Sequence, residues 1–260
     1  MTGPLLARRA LAELVGSACL LMIVVGSGVA ATRLTDDVGL QLLVNSTTTA
    51  LGLTVLIATL GPVSGAHLNP VVTVALVATR LWRATPRDVA VYVTAQLVGA
   101  ASGTVLANLM FDLPAVTAAT TVRSASSLWL AEVVATAGLV GVIIGLLRSA
   151  REAWVPAMVG CYIGAAYWFT SSTSFANPAV TLARTLSDTF AGIELGSVAP
   201  FLAAQVAGAA LGAALAVALH HPSVLEPDAD APRTPPPPDA AVAVTARTEH
   251  LQGAPINSDA

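Results

Sequence analysis

The chain has 260 residues, of which 55% are hydrophobic and only 10% are charged. A soluble domain has about 45–50% apolar and about 25% charged residues, so the shortage of charge indicates a membrane protein. All twelve basic residues are arginines, which excludes lysine Schiff-base chemistry and a P-loop lysine. Because there is no basic patch, and Cys19 and Cys161 match no metal-ligand spacing, we predict no nucleic-acid partner, no metal and no cofactor.

Six apolar runs are long enough to cross about 30 Å of hydrocarbon as helices, which takes about 20 residues. The first run contains Glu13 and is longer than the apolar part of a secretion signal, so we expect it to remain as a span. The six runs cover residues 10–32, 40–61, 88–111, 128–148, 153–174 and 195–220.

Two further apolar segments are only half as long. They run from Asn69 to about Thr79 and from Asn177 to about Leu186, and a helix of about ten residues reaches about 15 Å. Each asparagine is followed by a proline, which suits the first turn of a helix. We therefore predict two half-helices that together complete a seventh crossing.

The arginines are distributed unevenly between the two sides of a six-span topology. Cytoplasmic loops are enriched in positive charge, and the side that holds both termini has seven arginines against three on the other side. Both termini are therefore predicted to be cytoplasmic. The seven are Arg8, Arg9, Arg80, Arg83, Arg87, Arg148 and Arg151, and the three are Arg33, Arg123 and Arg184.

The last part of the chain, residues 222–260, differs in composition from the rest. It has six acids and two arginines and includes the run Pro235 to Pro238. Such a segment is too poor in aliphatic residues to form a packed core. We predict a disordered tail after a membrane domain at 1–221, with a polyproline ligand for a partner domain as the alternative.

The membrane domain contains an internal repeat, with halves at about 8–111 and 128–221. Three landmarks occur in the same order in both halves: an Ala-Glu pair near the start of a span, an Asn-Pro pair and an Ala-Gln-x-x-Gly motif. Because each half contains three full spans, the second half enters the membrane inverted. Inverted repeats place a transport site near the midplane, often at helix N-termini. We therefore predict a pore between the half-helices.

These motifs resemble the aquaporin, or major intrinsic protein, family over about residues 8–221. The resemblance is carried by the segment Ser64 to Val71, by Asn177-Pro178-Ala179 and by the repeated Ala-Glu and Ala-Gln-x-x-Gly motifs. It implies an all-α membrane protein with six transmembrane helices and two re-entrant half-helices. It also implies a homotetramer in the lipid bilayer of a bacterial plasma membrane. Small-residue faces, such as that of Gly99 and Gly103, permit contacts between subunits or packing within one subunit.

The resemblance also places six residues at the pore centre. The N-terminus of a half-helix carries about half a positive charge, so two that meet disfavour a cation. Each asparagine can cap its helix with the side-chain carbonyl and donate from its amide to a passing neutral molecule. The six residues are Asn69, Pro70, Val71, Asn177, Pro178 and Ala179, and the valine replaces the family's usual alanine.

The selectivity filter departs from the family pattern. Aquaporins usually carry an arginine three residues after the second asparagine, where this chain has Val180. Without a guanidinium the filter is expected to be wider and less polar, and we favour a structural or vestibular role for Arg184. Counting back without gaps predicts a filter of Thr49, Ala165, Ser174 and Val180, with Leu51 and Tyr167 as alternatives to the two helix residues.

The resemblance implies a passive channel for water, glycerol-like polyols and metalloid hydroxides. An Asn-Pro-Ala-Val-Thr box with the stretch Ser187 to Phe190 is similar to the bacterial branch associated with arsenic resistance, which points to arsenite. The alternative is a secondary active transporter, which would need Glu13 or Glu132 to titrate. We expect both glutamates instead to accept hydrogen bonds from the re-entrant loops. The spans contain no nucleophile with a base and an orienting group, so we expect no enzyme activity.

Overall fold

The computed structural model describes residues 3–220, which are helical with connecting loops and contain no strand. The predicted tail at 222–260 lies outside these residues. Six long helices and two short ones follow the predicted order. The long ones are α1 Gly3–Leu34, α2 Val38–Ser64, α4 Pro86–Met110, α5 Ser126–Arg148, α6 Val155–Phe169 and α8 Val198–Leu219; the short ones are α3 Pro70–Ala78 and α7 Pro178–Ala183.

Five of the long helices are long and apolar enough to cross a membrane by length and composition, whereas α6 has only 15 residues. The prediction of a span at 153–174 is therefore too long at its C-terminal end. Helix α6 ends at Phe169, and the chain turns back toward the protein interior through Ser172 and Ser174, both of which are buried. The five residues after the helix, Thr170 to Ser174, all carry hydroxyl groups, so the change in composition at Phe169 coincides with the end of the helix.

The helix boundaries follow from local capping chemistry. Asp37 caps α2 by accepting a hydrogen bond from the Leu40 N–H, and Thr85 with Asp88 forms a reciprocal capping box at the start of α4. Proline occupies the first turn of α3, α4, α6 and α7, where its missing N–H leaves no internal hydrogen bond unmade. Helix α2 ends at Gly65, whose φ of 94° favours glycine.

The two repeats pack in the same way. Helix α4 lies against α1 at Gly99 and Gly103, where an added Cβ would be 2.2 Å from the Leu14 carbonyl oxygen and 2.1 Å from the Ala18 carbonyl oxygen. In the second repeat, an added Cβ at Gly212 on α8 would be 2.1 Å from the carbonyl oxygen of Ala137 on α5. These glycines therefore serve packing within one subunit, because only glycine allows the backbones to approach this closely.

Contacts between helix ends define two sides. Arg148, at the end of α5, donates from Nε to the His220 carbonyl oxygen at 2.6 Å, and Tyr92, near the start of α4, donates to the Ser64 carbonyl oxygen at 2.9 Å. Arg33, at the end of α1, donates to the Phe111 carbonyl oxygen. We call the side where α1 begins and α8 ends the terminal side, and the side where α1 ends the opposite side.

Candidate pore and selectivity filter

The two short helices start at asparagines that share one geometry. Asn69 caps α3 and Asn177 caps α7, both with φ of −156°. The Asn69 Oδ1 accepts from the Val71 N–H at 3.1 Å, and the Asn177 Oδ1 accepts from the Ala179 N–H at 2.9 Å. The side-chain carbonyls are thus used locally, as expected for helix caps.

The side-chain amides link the repeats reciprocally. Asn69 Nδ2 donates to the Ala176 carbonyl oxygen, and Asn177 Nδ2 donates to the Leu68 carbonyl oxygen, each at 2.8 Å. An amide carries two N–H groups, so one on each asparagine remains for a molecule in the pore. Besides facing the pore, each amide therefore joins the two loops through one of its N–H groups.

The loops that precede the asparagines have strained backbone. Ala66, Leu68, Ser174 and Ala176 have φ between 46° and 51°, a region that costs free energy for residues other than glycine. The two strained pairs occupy equivalent positions of the repeats. Such conformations persist only where surrounding contacts hold them.

Two buried glutamates supply these contacts. Glu13 accepts hydrogen bonds from Ser64 Oγ, His67 N, Leu68 N and Gln96 Nε2 at 2.6–3.0 Å. Glu132 accepts from Phe175 N, Ala176 N and Gln205 Nε2 at 2.7–2.9 Å. Both carboxylates are fully buried and satisfy loop N–H groups that lipid could not, which agrees with the expected structural role.

A cavity passes both asparagines. Its wall is largely apolar, with side chains such as Leu20, Leu53 and Ile163, and carries a polar strip. A second cavity adjoins it toward the terminal side and shares His67 and Val72 with it. The polar strip of the first cavity consists of Thr49, His67, Asn69, Tyr167, Ser174, Asn177 and Arg184.

Comparison with known proteins places this arrangement in a family. A model described as major intrinsic protein matches residues 2–175. The chain is 50% identical over 210 residues to aquaglyceroporin AqpS of Rhizobium meliloti (strain 1021), which covers 81% of this chain and 89% of that protein. The chain belongs to the major intrinsic protein family. The predicted resemblance, and with it a membrane channel without enzyme activity, is thereby confirmed.

Two further similarities fit this family. The chain is 32% identical over 189 residues to the probable aquaporin AqpM of Archaeoglobus fulgidus, which covers 66% of this chain and 72% of that protein. The X-ray structure of the aquaglyceroporin from Plasmodium falciparum matches with a TM-score of 0.62 at 20% identity over 85% of this chain and 98% of that one. This structural likeness confirms the fold.

Four of the six predicted pore-centre residues do not line the cavity of this major intrinsic protein. Pro70 and Pro178 begin the half-helices, while Val71 and Ala179 are buried within the apolar core that packs around them. Their contribution is to position the asparagines. Of the six, only Asn69 and Asn177 face the cavity.

Three of the four predicted filter residues lie on the cavity wall. Thr49, Ser174 and Val180 line the cavity, whereas Ala165 is exposed and does not line it. Their role as a filter stays a prediction. The alternative to Ala165, Tyr167, lies on the wall with its hydroxyl 3.3 Å from Thr49 Oγ1, and Leu51 is 65% exposed. Of the two candidates on α6, the one that faces the cavity is therefore Tyr167, two positions after the one that counting without gaps gives.

Arg184 also lines this cavity. Helix α7 ends at Ala183 and continues as a 3-10 turn over Arg184–Leu186, so Arg184 does not follow the regular α-helical rotation from Val180. The Arg184 Nε donates to the Ala191 carbonyl oxygen, and its Cζ lies 3.5 Å from the centre of the Phe175 ring. This position on the cavity wall, with a backbone carbonyl as partner, is compatible with the structural or vestibular role predicted for Arg184.

Two participants were absent from the sequence prediction. Phe175 was not singled out because it lies in a loop and matches no repeated landmark. Arg123, in the segment between α4 and α5, was counted only for orientation, although its Cζ lies 5.1 Å from the centre of the same ring. The only local signal for Phe175 is an aromatic residue within a short polar loop, and this signal does not indicate that Arg123 and Arg184 contact its ring.

His67 lies at the junction of the two cavities. Its Nδ1 is 3.2 Å from Thr73 Oγ1, and its ring contacts Trp82 edge-on with centroids 5.0 Å apart and Tyr92 with centroids 5.3 Å apart. Its backbone N–H donates to Glu13. His67 therefore lines both cavities, while its backbone is held in place by Glu13.

Proposed function

We propose that this channel conducts small uncharged solutes passively, with water, glycerol and metalloid hydroxides such as As(OH)₃ as its solute class. The observation that carries the proposal is the cavity past Asn69 and Asn177, each of which keeps one amide N–H for a solute oxygen. The name of AqpS, an aquaglyceroporin, supports water and glycerol.

Charge exclusion follows from the same geometry. The N-termini of α3 and α7 meet at the asparagines, and Arg184 adds a positive charge to the wall of the same cavity. A cation that loses its hydration shell there finds no carboxylate on the cavity wall to replace it, because Glu13 and Glu132 are buried behind the loops. A neutral hydroxyl compound instead finds donors and an apolar wall.

A transporter would need a titrating group that changes partners. Glu13 accepts four hydrogen bonds and Glu132 accepts three, all from groups that hold the loops. Protonation would remove acceptors that these loops require. The passive channel is therefore favoured over the secondary active transporter.

The test is flux in proteoliposomes of the purified protein. Water and glycerol permeation by stopped-flow light scattering, and arsenite uptake, are expected to rise linearly with the gradient and to be unchanged by a proton gradient. Val180→Trp, which places a large ring on the cavity wall, is expected to lower all three fluxes at least about tenfold. Leu182→Trp, on the same half-helix but outside the cavity, is the matched control. Accumulation of solute against its gradient would contradict the proposal.

The membrane setting is proposed on the same basis. The seven arginines of the terminal side favour a cytoplasmic location for both termini in a bacterial plasma membrane. A homotetramer, with one pore in each subunit, is the proposed assembly. Exposed apolar side chains along α2 and α6, such as Leu51, Val55 and Trp168, provide surface for lipid or for neighbouring subunits.

A further inference from the structure

Two arginines lie close together at the opposite side of the pore. The Cζ atoms of Arg184 and Arg123 are 3.5 Å and 5.1 Å from the centre of the Phe175 ring. Arg184 is 3% exposed and lines the cavity, whereas Arg123 is half-buried. Two like charges in one partly desolvated region repel each other, so the fold must hold them in place.

One loop holds both guanidinium groups. Arg184 donates from Nε to the Ala191 carbonyl oxygen, and Arg123 donates from Nε to the adjacent Gly192 carbonyl oxygen at 3.0 Å. Gly192 is required for this compact loop, because an added Cβ would be 2.7 Å from the Ser187 carbonyl oxygen. Within residues 3–220 these are the hydrogen bonds that the two guanidinium groups make, so their terminal nitrogens stay available.

The charge of the pair is not neutralised by contact with an acid. Neither arginine forms an ion pair with any residue in the described part of the chain. Glu132 is the buried carboxylate whose charge acts on both, but its oxygens accept from Phe175, Ala176 and Gln205. The Phe175 ring and the two carbonyls compensate the desolvation only in part.

A polar group that lines the same cavity as Arg184 also lacks a partner among the described residues. The Ser174 Oγ is buried and makes no hydrogen bond to any described residue, and Ser174 lines the cavity together with Arg184. A buried hydroxyl without a partner costs free energy that a ligand acceptor would recover. A guanidinium fork and a hydroxyl that line one cavity match the oxygens of a carboxylate.

From this geometry we propose an anion-binding site for a small monovalent carboxylate at the opposite mouth of the pore, held by Arg184 and Arg123 with Ser174 as a further donor. The site is distinct from the neutral-solute path at the asparagines, but it shares the cavity wall. An anion bound there obstructs neutral solutes that enter from this side. This consequence rests on the proposed channel function, whereas binding itself does not.

Binding is tested first, on the purified full chain in detergent. Formate near neutral pH is expected to raise the midpoint of thermal unfolding relative to chloride at equal ionic strength, with half-saturation in the range of about 1–10 mM. Arg184→Gln is expected to weaken binding at least about tenfold, and Arg123→Gln about three- to tenfold. Arg184→Lys, which keeps the charge without the fork, is expected to bind with intermediate affinity and covers the case in which Arg184→Gln does not fold.

Arg33→Gln is the matched control. Arg33 also donates to a backbone carbonyl and lies 5.3 Å from the centre of a phenylalanine ring on the same side of the protein, but it is outside the cavity. It is expected to bind formate like the natural chain. Three results would contradict the site. Formate could raise the unfolding midpoint of Arg184→Gln as much as that of the natural chain, or Arg33→Gln could lose formate binding to the same extent as Arg184→Gln. Formate could also raise the midpoint of the natural chain no more than chloride does.

Obstruction is tested by glycerol flux with formate supplied on one side. Inhibition is expected when formate is on the side that Arg123 faces. In Arg184→Gln, formate is expected to inhibit none of the glycerol flux, when each variant's flux is expressed relative to its own flux without formate. Formate binding without any glycerol flux in the natural chain would show that the channel proposal fails while the site stands. Glycerol flux without specific formate binding would show that the anion site is wrong while the channel proposal stands.

Discussion

Glu13 and Glu132 are buried charged residues that stabilise the pore loops and do not line the pore. Each holds a loop with strained φ angles by accepting backbone N–H groups. In hydrocarbon these groups would otherwise have no partner. The two acidic residues within the membrane spans are therefore explained by the backbone N–H groups of the loops, which need hydrogen-bond acceptors.

Glu132→Ala is the test at this scale. It leaves the N–H groups of Phe175 and Ala176 and the amide of Gln205 without their acceptor, so we expect the free energy of unfolding to fall by about 2–5 kcal/mol. The measurement is thermal unfolding in detergent, and the exposed Glu152→Ala is the control. If Glu132→Ala and Glu152→Ala unfold at the same temperature, the bracing role is wrong.

Helix contacts set the geometry at the next scale. The α1–α4 and α5–α8 pairs are held together at glycines that meet the carbonyl oxygens of the partner helix. Because such backbones cannot separate without opening the core, each pair is a rigid wall for the half-helix that it supports. The pore shape thus depends on positions far from its lining.

Gly212→Ala is expected to destabilise the protein by about 1–3 kcal/mol, because its Cβ would lie 2.1 Å from the Ala137 carbonyl oxygen. Gly141→Ala is the matched control, since its nearest atom would be 3.9 Å away, in ordinary contact. Replacing a helical glycine without a clash is expected to be neutral or to stabilise slightly. The measurement is thermal unfolding of both variants. If Gly141→Ala is destabilised as much as Gly212→Ala, the close approach of α8 to α5 at Gly212 is not what makes this glycine necessary.

Some element boundaries follow from the sequence and others do not. The starts of α3 and α7 are fixed by an asparagine cap and a proline, which are local signals. The 3-10 turn at Arg184 has no such signal. The rotation of α6 against its neighbours decides that Tyr167 faces the cavity and Ala165 does not, and Arg184 reaches the cavity from the 3-10 turn.

Over the whole molecule, the inverted repeat and the distribution of arginine fix a topology. The terminal side and the opposite side are defined by contacts such as Arg148 with His220 and Arg33 with Phe111. Which side is cytoplasmic depends on the insertion machinery and the charge of the loops. The fold itself is compatible with either orientation.

Orientation is checked by labelling single cysteines in intact cells after Cys19 and Cys161 are replaced by serine. Asp36→Cys, in the loop between α1 and α2, is expected to react with a membrane-impermeant thiol reagent. Ala150→Cys, in the loop after α5, is expected to react only once the cells are opened. Both positions are exposed, so the reverse pattern would place the termini outside.

The sequence by itself determined the class of protein, the six spans, the two half-helices, the repeat and the asparagine pair, because these depend on composition, length and local capping. The tertiary structure decided which side chains face the pore and how Arg184, Arg123 and Phe175 come together. Facing depends on where a helix ends and how it is rotated by its neighbours. The sequence carries no local signal for contacts between distant residues, such as Arg123 with Gly192, which are 69 positions apart.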